Sequence, residues 1–252
     1  MRRVSGISIA PVKGFRLLHP EGVELTEDGV LENRRFFLVD GDGARLRSSL
    51  TSWPVLVHGE YDPAAEVLRM TFPDGTEVEG SAVELGEAVR CESGGREVEA
   101  RVVVGPWAEP LSRLAGHDVR VVRPDRPGVT LSEPVTLVSE ASVERLAREA
   151  GADVDARRFR LLFTLSGCAE HEEDTWAGRL VRAGGAVLRI GGPVDRCAAI
   201  TRHPETGVRD LDALRLIKGY RGLREGSCVD FGVFARVEQP GTVRVGDAVE
   251  PL

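Results

Sequence analysis

The feature that most narrows the fold of this chain is a succession of short, branched or alternating runs, each cut off by a glycine- or aspartate-rich turn. Val4 to Val12 reads as a strand ending at Lys13-Gly14, where glycine permits a sharp change of direction. Val23 to Thr26 alternates and turns at Glu27-Asp28-Gly29. Arg35 to Val39 is aromatic and branched, and Asp40-Gly41-Asp42-Gly43 closes a hairpin behind it. Val55 to Tyr61, Val67 to Phe72 and Thr76 to Val83 continue the series. Strands this short and closely spaced point to a barrel or sandwich rather than to βαβ units.

Helices are fewer. Ala108 to Ala115, with Pro110 in its first turn and Gly116 behind it, is a short one. Val119 to Val122 returns to strand, and Pro124-Asp125-Arg126-Pro127-Gly128 is the best linker, so the chain is expected to divide into residues 1–124 and 125–252. The clearest helix follows: Ser139 caps it, Val143, Leu146, Ala147 and Ala150 share a face, and Gly151 ends it. Arg160 to Leu165 is an apolar strand, Gly184-Gly185 turns a hairpin, and Leu211 to Ile217 is a short helix capped by Asp210. Phe231 to Phe234 and Gly241 to Asp247 read as a closing pair of strands. The expected fold is mainly β with some α (α+β): an N-terminal β-barrel-like domain and a C-terminal β-barrel domain with short helices.

The formal net charge of −7 argues against a general nucleic-acid or anionic-membrane binder. Nothing reaches the apolar length of a membrane span, and the run after Met1-Arg2-Arg3 is interrupted too early for a signal peptide, so a cytoplasmic address is expected. There the four cysteines (Cys91, Cys168, Cys197 and Cys228) stay reduced, and their wide spacing rules out a structural zinc pattern. Gly184-Gly185 and Gly191-Gly192 lack the company of a nucleotide-binding motif.

Chemistry concentrates around Asp195-Arg196-Cys197 and the Pro204-Glu205-Thr206-Gly207 turn beyond it. From the residues alone, Cys197 is an inert core thiol, a nucleophile or a soft-metal ligand; Cys168, at the end of an apolar strand, is packed. Lys13 and Arg35 stand at strand ends, where barrel rims present ligands. On a strand, Arg158 and Arg160 would share one face opposite Phe159, an arrangement that suits an anion, and Arg47 is a candidate of the same kind. His171-Glu172-Glu173-Asp174 reads as an exposed acidic turn opening a short helix that holds Trp176, and His203 could donate protons.

Taken in order, several of these segments resemble the MOSC family, and in particular its two-part members with an N-terminal β-barrel domain, the branch of the mitochondrial amidoxime-reducing components. The resemblance rests on Ala10-Pro11-Val12-Lys13-Gly14, Asn33 to Val39, Leu137-Val138-Ser139, Arg158-Phe159-Arg160, Glu173-Asp174-Thr175-Trp176, Arg196-Cys197 with Pro204 to Gly207, and Pro240 to Asp247. It implies a molybdenum cofactor in a cleft between the two parts. Cys197 would be the thiolate on the metal, a soft donor favoured by a neighbouring cation such as Arg196. Lys13, Arg35 and Arg160 would hold the pterin and its phosphate, with Gly14, Arg47, Ser139, Arg158 and Arg196 as further cofactor-binding candidates. Leu162 replaces a polar residue of the amidoxime-reducing pattern, and Gly14 replaces a hydroxyl residue, so a backbone amide has to serve there.

The expected activity is a molybdenum-cofactor-dependent oxidoreductase that reduces a small, N-oxygenated substrate. It would need a separate electron-donor protein, because no flavin, haem or iron–sulfur motif is present. The alternatives are a sulfur-transfer module carrying a persulfide on Cys197, and a non-catalytic cofactor carrier.

Overall fold

A computed structural model describes residues 1–47, 49–93, 96–126 and 133–252. Strands β1 (Arg3–Ile7) and β2 (Gly22–Leu25) open the chain. Then come β3 (Phe37–Asp40), β4 (His58–Asp62), β5 (Val67–Thr71), β6 (Glu77–Ser81), β7 (Leu85–Ser93) and β8 (Arg96–Val103). Helix α1 (Ala108–Ala115) and β9 (Val119–Pro124) follow, and β10 (Val135–Ser139) runs directly into α2 (Glu140–Ala150). The remainder is β11 (Phe163–Ser166), β12 (Leu180–Ala183), β13 (Ala186–Asp195), α3 (Ala213–Arg221), β14 (Asp230–Gln239), β15 (Gly241–Arg244) and β16 (Val249–Pro251). The fold is mainly β with three α-helices among the described residues, as its strand series predicts.

Seven strands form the larger sheet in the order β1-β11-β10-β14-β13-β12-β16. Its two edges meet: Arg3 bridges Ala248, and the Val249 amide donates to the Arg2 carbonyl at 3.0 Å, so the sheet curls into a nearly closed barrel. Closure removes the exposed edges that invite association. Inside lie Phe163, Trp176, Leu188, Ile190 and Val233, none more than 1% exposed. One βαβ crossover does occur here, since β10 and β11 are parallel and α2 connects them. The smaller unit packs the sheet β3-β9-β8-β7 against β4-β5-β6 around Trp107, Phe36, Leu68 and Met70. Trp107 Nε1 donates to the Leu68 carbonyl, so its one polar atom is satisfied in the core.

Membership of the sheets does not follow chain order. β1 lies antiparallel to β11, with Ile7 opposite Phe163, and β2 pairs with β15. Of the predicted linker, Pro124 ends β9, while Pro127 and Gly128 fall outside the described residues.

Several local expectations shift. The stretch from Arg160 is not yet strand: Ala156–Phe159 is a 3-10 turn, Arg160 is left-handed at φ 53°, and β11 starts only at Phe163. Arg158 and Arg160 therefore do not alternate on a pleated face. Helix α3 is capped by Asp212, whose carboxylate accepts from the Arg215 amide, which releases Asp210 for another partner. β14 and β15 do not pair with each other; β14 lies between β10 and β13. No membrane-length apolar helix occurs among the described residues.

Candidate functional site

A cavity of about 370 Å³ opens where the two units meet. Lys13, Gly14, Arg34, Arg45 and Arg47 line it from one side, and Arg158, Phe159, Arg160, Asp195, Arg196 and Cys197 from the other. Seven basic side chains thus face two carboxylates, Glu92 and Asp195. Of the residues singled out in the sequence, Cys197, Lys13, Gly14, Arg47, Arg158, Arg160 and Arg196 come together here.

Backbone geometry explains how. Gly14 has φ 99°, a conformation that side-chain-bearing residues avoid, and it turns Lys13 inward while the Lys13 amide donates to the Phe36 carbonyl at 2.8 Å. Arg34 and Arg160 are both left-handed, at φ 55° and 53°. Each braces the opposite unit: Arg34 Nη2 donates to the Arg160 carbonyl at 2.6 Å, and Arg160 Nη2 donates to the Phe15 carbonyl. Strain of this sort persists only where its surroundings fix it, and it gathers at binding sites.

The left-handed residue at 34 also resets the strand alternation. Arg34 enters the cavity, and Arg35 points elsewhere, donating to the Pro124 carbonyl at 3.0 Å. Ser139 does not line the cavity either. It is fully buried, its hydroxyl caps α2 by accepting from the Ser142 amide, and its own amide donates to Glu173 Oε1. Glu173 is itself fully buried, not exposed as its acidic run implies, because Ser139 and Ser142 satisfy one oxygen; burial pushes its carboxyl up. Leu162 packs in the barrel core at 2% exposure and presents nothing to the cavity.

The electrostatics of the cleft are one-sided. Burial drives Lys13 down to about 6, and the like charges of Arg45, Arg34 and Arg160 act in the same direction. Burial likewise pushes Arg34 to about 10, Arg160 to about 9 and Arg196 to about 9. These side chains keep some surface on the cleft, yet protein surrounds their charged heads on the other sides. Arg196 is held by the Phe231 carbonyl at 2.8 Å and the Phe159 carbonyl at 3.0 Å, with its guanidinium over the Phe159 ring. Its Nη2 is buried without a partner among the described residues, and so is Arg45 Nε. Buried donors left open amid excess positive charge call for an anion.

Arg158 lines the same wall but is largely committed. Its terminal nitrogens reach both oxygens of Asp210 at 3.2 Å and the Ile200 carbonyl at 3.0 Å, tying down the turn that follows Cys197. The thiols divide cleanly. Cys197 is exposed on the cavity wall, whereas burial, aided by Glu172 and Glu173, pushes Cys168 up to about 12 and marks it as packed. Arg34 and Arg45 were missed in the sequence because arginine is ordinarily a surface residue. Arg34 offered a signal, since it adjoins the chosen Arg35 at a strand start.

The two units thus share a cleft lined mainly by basic side chains, with an accessible thiol on its wall. The sequence matches the MOSC domain over residues 101–250, and the chain belongs to that family. It is 33% identical to human mitochondrial amidoxime-reducing component 1 across 98% of this chain and 82% of that protein. The Xenopus laevis counterpart is 27% identical across 98% of this chain and 81% of that one. A shorter stretch is 34% identical to the mouse protein, covering 47% of this chain and 36% of its length. Among solved structures, the YUAD protein from Bacillus subtilis aligns over 99% of this chain and 94% of that chain, with 13% identity and a TM-score of 0.46.

Proposed function

We propose that this protein binds a molybdenum–pterin cofactor in the interdomain cleft and uses it to reduce a small N-oxygenated substrate with electrons from a separate donor protein. The observation that carries this reading is the pairing of an exposed Cys197 with buried donors on Arg196 and Arg45 that have no partner among the described residues. That donor set fits the group. A thiolate is the soft ligand such a metal takes, and the open guanidinium donors match a phosphate and a polar pterin. When bound, the cofactor supplies the two-electron chemistry at nitrogen-bound oxygen. The chain itself holds and orients. Cys197 would ligate the metal; Lys13, Arg34, Arg160 and Arg196 would hold the anionic end; and the Gly14 backbone would approach where a side chain could not. Arg35 and Ser139 drop out of this set, and Arg158 serves it through the Cys197 turn.

Metal and pterin analysis of protein from a cofactor-producing host tests the reading. Wild type should carry about one molybdenum and one pterin per chain, and Cys197→Ser should lose most of the metal. Wild type free of both would overturn it. A second reading, sulfur transfer, draws on the same exposed thiol. It requires Cys197 to gain one sulfur from a cysteine desulfurase more readily than the other three cysteines, which intact-protein mass spectrometry would reveal.

Lys13 gives a proton-linked prediction. Near pH 7.5 its amine is largely neutral in the empty cleft, because its folded value near 6 lies far below that of an exposed lysine. An anion bound there restores the charge, so sulfate binding should take up about one proton, and affinity should fall as pH rises above 6. The same shift makes the fold gain stability between about pH 6 and 10, where the unfolded chain holds the extra proton. Titration calorimetry of sulfate binding in buffers of differing ionisation enthalpy measures the uptake, and Lys13→Met should abolish it.

A further inference from the structure

Behind the main cavity, and sharing Gly14, Arg158, Arg160 and Ala199 with it, lies a second chamber of about 30 Å³. Ser52, Val55 and the turn that carries Arg202 and His203 also line it. Three of its lining side chains, Arg158, Arg202 and His203, carry hydrogen-bond donors. Arg158 is only 5% exposed, and with its terminal nitrogens committed, its Nε is buried and without a partner among the described residues. Arg202 donates from Nη1 to the Gly207 carbonyl at 3.0 Å and from Nη2 toward the Leu50 carbonyl at 3.4 Å, and its Nε is buried and unpartnered in the same way. His203 accepts the amides of Glu205 and Thr206 at Nδ1, at 3.2 and 3.4 Å, so the neutral ring carries its hydrogen on Nε2.

Charge and volume agree. Arg157 pairs with Asp155 and Glu205, and Arg158 pairs with Asp210, while Arg160 and Arg202 have no carboxylate partner among the described residues. A space of this size admits one or two waters or a single monatomic ion. Two waters could accept from all three donors, but neutral water leaves the excess charge untouched. We infer that the chamber is a binding site for a small monovalent anion of halide size, held by Arg158 Nε, Arg202 Nε and the His203 ring. A phosphate oxygen reaching through from the main cavity is the same chemistry from a second source. Either occupant would join Arg158 to the turn that follows Cys197, in a space that Ser52 also lines. The inference is independent of molybdenum and stands or falls separately.

Bromide is the probe. Crystals of the full chain soaked in sodium bromide should show an anomalous peak within hydrogen-bonding reach of Arg158 Nε and Arg202 Nε. In solution, bromide should raise the melting temperature saturably, and gluconate at equal ionic strength should not. His203→Asp keeps a side-chain acceptor for the turn but sets a carboxylate beside the chamber, so it should melt like wild type in gluconate and lose the bromide response; Arg202→Met should lose the response as well. A peak retained in cofactor-loaded protein assigns the chamber to a free anion, and a peak lost on loading assigns it to the phosphate oxygen. A chamber with no anomalous signal, together with equal responses to bromide and gluconate, overturns the site.

Discussion

Cys197→Ala, prepared in a cofactor-producing host, is expected to lower reduction of an N-hydroxylated amidine by more than roughly 100-fold, because it removes the one sulfur that the described residues place on the cavity wall. Folding should be untouched, since the side chain is exposed and no packed neighbour collapses into its place. The measurement is steady-state turnover with a chemical reductant and with a protein donor, beside the melting temperature. Cys168→Ala supplies the contrast: it removes a packed thiol, so it should cost stability and leave turnover per folded molecule alone. Wild-type turnover in Cys197→Ala would end the metal-ligand reading.

Arg158→Met is expected to produce the largest loss of stability, about 3 kcal/mol, because it strands Asp210 and two backbone carbonyls that Arg158 now satisfies. Asp210 keeps some contact with solvent, which holds the figure at the lower end for a broken buried pair. For a chain of this length that is a fall of about 6 to 12 °C in Tm. The turn after Cys197 should loosen with it, so kcat should drop more than the substrate KM rises. Were Arg158 a direct cofactor ligand instead, cofactor content would fall while the melting temperature of the empty protein held. Thermal unfolding and pterin content measured on one preparation separate the two roles.

Much of the architecture is written in local signals. The Ser139 cap, the apolar face of Val143 and Leu146 and the stop at Gly151 specify α2, and the structure has that helix within its expected limits. Gly184-Gly185 specifies the β12–β13 hairpin for the same reason: a tight turn between two branched runs. What resists reading is whatever depends on distant partners. Nothing in Arg3–Ile7 announces that it will lie beside Phe163–Ser166, because a strand carries its pattern but not the address of its neighbour. The resemblance and the strand start at Arg35 point to the wrong one of two adjacent arginines, because a single left-handed residue at Arg34 turns that side chain into the cavity. Ser139 suits both a helix cap and a cofactor contact in the sequence; its burial beside Glu173 leaves room only for the first. The residues around Cys197 leave its thiol open between core, nucleophile and metal ligand; the structure adds that it is exposed on the cavity wall.

The bridge between Arg3 and Ala248 has a kinetic meaning. A barrel whose first strand pairs with residues some 160 positions away, and whose rim is sealed by a segment later still, cannot finish assembling until Ala248 has left the ribosome. Such long loops must close before their contacts repay the entropy, so the last step of folding should be slow and open to interception by chaperones.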